Sequence, residues 1–129
     1  VEGEAKSVCW RFEPHHTSVR EVRTRVGEWL GGLLPERRSD VLVLVSELAT
    51  NAVTHAGTEF EVTLVASPAG LRVEVTDAGA GEARIRPLEL GESFGRGLRL
   101  VDSLAGSWGV KPRPAGESGK TGWFSIPVG

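Results

Sequence analysis

The chain has 129 residues, a net charge of −2, 17 glycines, 7 prolines and a single cysteine. Its length fits one domain, 1–129, because domains cluster at roughly 100–150 residues, and its 35 Leu, Ile, Val and Phe side chains exclude a disordered chain. The near-neutral charge gives no footing for direct nucleic-acid binding or for an anionic membrane surface. The longest aliphatic run, Val41 to Val45, is far too short to span a bilayer. Cys9 has no partner for an internal disulfide, which fits a reducing, cytoplasmic compartment.

Val8, Trp10 and Phe12 alternate and predict a strand over 7–13, with Cys9 as a packing residue. Ser18 with Glu21 three positions on has the form of a capping box. Behind it Val19, Val22, Val26, Trp29, Leu30 and Leu33 keep one face of a first helix apolar as far as Leu34. Pro35 fits a first helical position, and a second helix is expected to run to about His55, stopped by Gly57. Phe60, Val62, Leu64 and Ala66, then Leu71, Val73 and Val75, alternate about the turn Pro68-Ala69-Gly70 and predict a hairpin. From Asp77 to Phe94 the periodicity is lost while glycines accumulate, which marks a functional loop. A third helix from about Gly97 to Ala105 and two strands around Trp108–Val110 and Trp123–Ile126 complete the chain. The order is that of an α+β fold, a two-layer α/β sandwich with a mixed sheet and about three helices on one face.

Four constellations bear on chemistry. On the second helix Glu47, Asn51 and His55 stand at i, i+4 and i+8 along one side of an otherwise apolar segment. A solvated polar stripe is the plain reading; the chemical one is a carboxylate to accept a proton beside an amide oxygen to ligate a hard cation. Asp77-Ala78-Gly79-Ala80-Gly81 follows a strand, where the carboxylate can accept from an exocyclic amine and the glycines admit a flat ligand, although Asp-x-Gly is also common turn chemistry. Gly95-Arg96-Gly97-Leu98 opens the third helix and offers backbone N–H groups to an anion, with Arg96 and Arg99 adding charge, or is an ordinary helix entry. Gly119-Lys120-Thr121 ends like a P-loop, but Pro114 stands where that motif needs its first glycine and a strand follows instead of a helix. His15 and His16 have no companion ligands and are read as capping or surface residues.

Taken together and in this order, the Glu47-x-x-x-Asn51, Asp77-x-Gly79-x-Gly81, Gly95-x-Gly97 and Gly119-Lys120-Thr121 segments resemble the ATP-binding boxes of the GHKL superfamily. These are the gyrase, chaperone, histidine-kinase and mismatch-repair ATPases, built on the Bergerat fold. The resemblance runs from Thr17 to Pro127, and the segment Ser46 to His55 with the compact length resembles one branch, the bacterial anti-sigma-factor serine/threonine kinases.

The resemblance implies that Asn51 ligates the Mg²⁺ bridging the ATP phosphates and that Glu47 is the catalytic base aimed at a substrate hydroxyl. It implies that Asp77 holds the adenine amino group, with Gly79 and Gly81 giving close passage. Gly95, Arg96, Gly97 and Leu98 would anchor the ATP lid, about 82–94, and meet the phosphates, with Arg96 standing in for the missing lid lysine. Thr121 would support the adenine side; His55 matches the branch without an assigned role. The short lid and the lack of a phosphoacceptor hairpin favour a protein serine/threonine kinase over a histidine kinase. The partners implied are a small anti-sigma-factor antagonist and a sigma factor, with a homodimer common in the branch. The alternatives are an ATP-binding, partner-sequestering module without transfer, and a detached ATPase domain of a larger sensor.

Overall fold

Between the first strand, β1 (Lys6–Phe12), and the second, β2 (Phe60–Ser67), the chain inserts two helices, and that even number sets the direction of the sheet. One crossover helix would bring the chain back parallel; two in succession return it to the end it left, so the next strand runs the other way. The computed structural model describes residues 6–79 and 106–127. Within them the helices are α1 (His16–Leu30) and α2 (Arg38–Asn51), preceded by a 3₁₀ turn at Pro35–Arg37 and continued by a π-helical turn at Ala52–Ala56. The strands β3 (Gly70–Asp77), β4 (Ser107–Pro112) and β5 (Lys120–Pro127) complete a five-stranded sheet of order β1-β2-β3-β5-β4.

Each neighbouring pair in that sheet is antiparallel. The two-layer α+β sandwich is therefore present, but the expected mixed sheet is corrected to an antiparallel one: two helices join β1 to β2, and short turns join β2 to β3 and β4 to β5. Two α-helices are described; the expected third, from about Gly97 to Ala105, lies outside the described residues.

The core forms where one sheet face meets the helices. Phe12, Phe60, Val62, Leu64, Leu71, Val73, Val75, Phe124 and Ile126 come from the sheet, and Val22, Val26, Leu30, Val41, Leu44, Val45 and Ala49 from the helices. The alternation read from the sequence of the hairpin is the alternation of burial: Phe60, Val62 and Leu64 on β2 and Leu71, Val73 and Val75 on β3 are buried, their chain neighbours are not. Burying each such side chain is worth about 1.5–3 kcal/mol.

The start of α1 differs from the capping-box expectation. His15 takes the N-cap position, and Ser18 lies inside the first turn, its amide bonded to the His15 carbonyl at 2.9 Å. The Ser18 hydroxyl donates backwards to the Glu13 carbonyl at 2.8 Å, so it ties the end of β1 to the helix rather than capping it. At the other end of α1 the Arg38 guanidinium donates to the Gly27 carbonyl at 2.8 Å, joining the first residue of α2 to the last turn of α1. Gly27 leaves the room for it, since a Cβ there would come within 2.9 Å of Arg38 Nη2.

Candidate functional site

The helix α2 is positioned by its apolar residues. Val41, Leu44, Val45 and Ala49 are fully buried, and Leu48 lies over β5 at Gly122, where a Cβ would approach Leu48 Cδ2 to 3.0 Å. Glu47 and Asn51 flank this buried stripe, both half-buried and one turn apart, whereas Val43, Thr50 and Thr54 on the outer side are exposed. The pair is thus not part of a fully solvated stripe. It sits at the margin between core and solvent, where a side chain is held by packing yet remains reachable.

At Asn51 the helix changes character. Residues Ala52–Ala56 make a π turn, closed by Gly57 in the left-handed region (φ +66°), whose amide donates to the Ala52 carbonyl at 3.0 Å. The i→i+5 pattern alters the angular step per residue, so His55, which is exposed, no longer stands one α-turn above Asn51. Sequence periodicity treats Glu47, Asn51 and His55 as one line, and the π turn separates the third from the first two.

The second half of the site is at the end of β3. Asp77 follows Leu71, Val73 and Val75 on the core face and is 4% exposed. Its Oδ1 accepts from the Gly79 amide at 3.0 Å and its Oδ2 from Lys120 Nζ at 2.8 Å. The turn beyond it is fixed by the Thr58 hydroxyl, which accepts from the Ala78 amide at 3.0 Å, and by the Ser118 hydroxyl, which donates to the Ala78 carbonyl at 3.2 Å. Gly79 is pressed against the end of the π turn: a Cβ there would lie 3.0 Å from the Ala56 Cβ. That contact brings the two constellations together, the helix carrying Glu47 and Asn51 ending directly on the turn that carries Asp77.

β5 supplies the remaining wall. Gly119, at φ +110°, runs so close to the Asp77 carbonyl and Ala78 that no side chain fits. From there strand alternation distributes the next two residues. Lys120 faces Asp77 on the core side, and the Thr121 hydroxyl shares a 2.9 Å hydrogen bond with Thr76 on the opposite face, which carries neither of the described helices. Thr121, expected to support the adenine side, has its side chain on the face opposite the Asp77 carboxylate, and Lys120 is the residue beside that carboxylate which the sequence reading missed. The signal was present: Ile126, Phe124, Gly122 and Lys120 share one parity along β5. Gly119-Lys120-Thr121 enters a strand, as the rejection of a P-loop requires. At the same strand ends, Arg11, Glu59, Glu61, Thr76, Asp77, Ala78 and Arg113 line an open, polar cavity of about 210 Å³.

Gly81, Gly95, Arg96, Gly97 and Leu98, and the lid at about 82–94, lie outside the described residues. Among the described residues no group of three or more His, Cys, Asp or Glu side chains is gathered to hold a metal. The half-buried Asn51, with an amide oxygen to offer and a carboxylate one turn away, fits Mg²⁺ in the way that ion is usually held beside nucleotides, with few protein ligands and the phosphates supplying the rest. No described helix is long and apolar enough to cross a membrane.

The profile of the histidine kinase-like ATPase domain matches residues 12–119 of this chain. The match covers most of the sequence, and the chain belongs to that family, within the GHKL-type ATPases. Membership makes it an ATP-binding domain with the capacity to use ATP. No curated protein matches the chain.

Proposed function

We propose that the chain is an ATP- and Mg²⁺-dependent protein serine/threonine kinase of the anti-sigma type, which phosphorylates a small antagonist protein and holds a sigma factor while that antagonist is phosphorylated. The observation that carries this reading is the pairing of Glu47 and Asn51, both half-buried and one turn apart, on a helix whose end abuts the Asp77 turn. A domain that only bound nucleotide would need the Asp77 side of this arrangement and has no use for a carboxylate beside the metal-ligating amide.

In this reading Asp77 holds the adenine amino group and the Asn51 amide oxygen faces the phosphates. Mg²⁺, when bound there, neutralises phosphate charge. Glu47 accepts the proton of the substrate hydroxyl as its oxygen bonds to the γ-phosphorus, and the bond from that phosphorus to the bridging oxygen breaks to release ADP. Transfer of this kind needs chiefly positioning and charge stabilisation, so few side chains suffice.

Incubation with γ-labelled ATP and small antagonist proteins tests it, with label expected on a serine or threonine of the antagonist. Glu47→Gln should keep ATP binding and lower transfer by about 10²–10⁴-fold, the usual range for a lost general base. Asn51→Ala should weaken Mg·ATP binding itself. Undiminished transfer by Glu47→Gln removes that residue from the base role, and ATP binding without transfer to any antagonist refutes the kinase reading.

A further inference from the structure

Lys120 has no part in the chemistry above, yet its ammonium lies 2.8 Å from the most deeply buried carboxylate of the site. Its side chain is 27% exposed and that of Asp77 4%, so the pair stands at the mouth of a buried position and not on an open surface. Three features hold it there. Gly119 presses the start of β5 onto the Asp77 carbonyl, which fixes where the Lys120 backbone begins. The β3–β5 register, carried one step past Thr76 and Thr121, sets Lys120 opposite Asp77. The Gly79 amide on Oδ1 locks the carboxylate, leaving Oδ2 for the lysine. The family match ends at residue 119, so it says nothing about position 120.

Among the described residues, the hydrogen-bond inventory of the pair is not exhausted. A carboxylate offers about four lone-pair sites, of which Gly79 and Lys120 use two. An ammonium has three donors, of which one is directed at Asp77. Side by side, the two groups present an acceptor and a donor 2.8 Å apart. A lone amino group would be satisfied by Asp77 without help. An amino group with an acceptor nitrogen next to it on the same ring edge satisfies both.

We propose that Asp77 and Lys120 read adenine as a pair, Asp77 accepting an exocyclic amino hydrogen and Lys120 donating to the adjacent ring nitrogen, N1 or N7. Guanine places a carbonyl oxygen where adenine has its amino group, and that oxygen would face the Asp77 carboxylate. Lys120 is then a base-selecting residue and not only the counter-ion of Asp77. The inference rests on the reading of Asp77 as the adenine-binding carboxylate.

Titration calorimetry of the chain with ATP, 1-deaza-ATP and 7-deaza-ATP tests it, since each analogue lacks one acceptor nitrogen. One of the two analogues should bind the wild-type chain about tenfold or more weakly than ATP, the scale of a lost charge-assisted hydrogen bond. In Lys120→Met that analogue and ATP should bind alike, while Lys120→Arg should keep the difference. Equal binding of all three ligands by the wild-type chain overturns the pair even if no variant folds. So does a discrimination that survives in Lys120→Met. Loss of ATP binding in Asp77→Asn, with indifference to both ring nitrogens, sinks the Lys120 inference alone. No ATP binding by the wild-type chain, or ATP binding untouched by Asp77→Asn, sinks the reading beneath it as well.

Discussion

Residues 76 and 77 of β3, with 121 and 120 of β5, are chain neighbours that meet opposite surroundings. On the core face Asp77 and Lys120 form a partly buried ion pair next to the end of the helix that carries Glu47 and Asn51. On the opposite face Thr76 and Thr121 share a hydrogen bond, followed along the strands by the half-buried Trp123 beneath the Arg72 guanidinium at 4.2 Å and by the Ser107–Ser125 hydroxyl pair. The core face is a packed layer whose last rung is charged. The other is a mixed polar surface, where the Arg72–Glu74 and Arg11–Glu61 ion pairs accompany the hydroxyl pairs. A carboxylate placed at the end of a hydrophobic ladder is positioned by the packing of that ladder, whereas its neighbour on the other face is positioned by a hydroxyl pair.

The strongest way to break this contrast is to truncate adjacent residues of β5. Phe124 is fully buried, and Phe124→Ala should destabilise the chain by about 3–5 kcal/mol. Trp123→Ala, one residue away on the open face, loses partial burial and one cation–π contact and should cost about 1–2 kcal/mol. Chemical denaturation of both variants reads the difference. Equal losses would mean that the face bearing Trp123 is packed against something comparable to the core.

A smaller effect sharpens the contrast at the strand's entry. Gly119→Ala combines a left-handed backbone (φ +110°) with a Cβ driven into the Asp77 carbonyl, and should cost about 3 kcal/mol together with a loss of ATP affinity. Gly116 has a similar backbone (φ +91°) but open space around it, so Gly116→Ala carries strain alone, about 1 kcal/mol, and should leave ATP affinity unchanged. Matching losses of stability in the two variants would show that backbone strain alone, and not the contact with Asp77, makes Gly119 necessary.

Much of this was legible in the sequence because it follows from one-dimensional periodicity. The alternation at Phe60, Val62 and Leu64 and at Leu71, Val73 and Val75 gives a hairpin and its buried face, and the apolar spacing from Val41 to Val53 gives a helix with Glu47 and Asn51 on one flank. What escaped depends on phase or on tertiary contact. Starting the last strand at Trp123 leaves Lys120 and Thr121 without a face, so the contact of Lys120 with Asp77 is not visible from periodicity. The capping-box pattern at Ser18 is locally valid, but the Glu13 carbonyl claims its hydroxyl. The π turn after Asn51 has no pattern of its own in Ala-Val-Thr-His-Ala. Glycine abundance pointed to a ligand against bare backbone. At Gly79 and Gly119 the close neighbours are Ala56 and the Asp77 carbonyl, so these glycines also let the chain approach itself.

The smallest expected effect is the most direct check on the two faces. Thr121 is 6% exposed, and its hydroxyl is satisfied by Thr76 alone among the described contacts. Thr121→Val keeps the shape and removes one neutral hydrogen bond, which should cost about 0.5–1.5 kcal/mol. The Thr76 hydroxyl borders the polar cavity at the strand ends, so it can regain a partner from solvent there. Because the Thr121 side chain lies across the sheet from the Asp77 carboxylate, ATP affinity measured by calorimetry should change by less than about twofold. A tenfold loss in a folded Thr121→Val protein would mean that the hydroxyl reaches the nucleotide past the sheet end, and the division of labour between residues 120 and 121 would have to be redrawn.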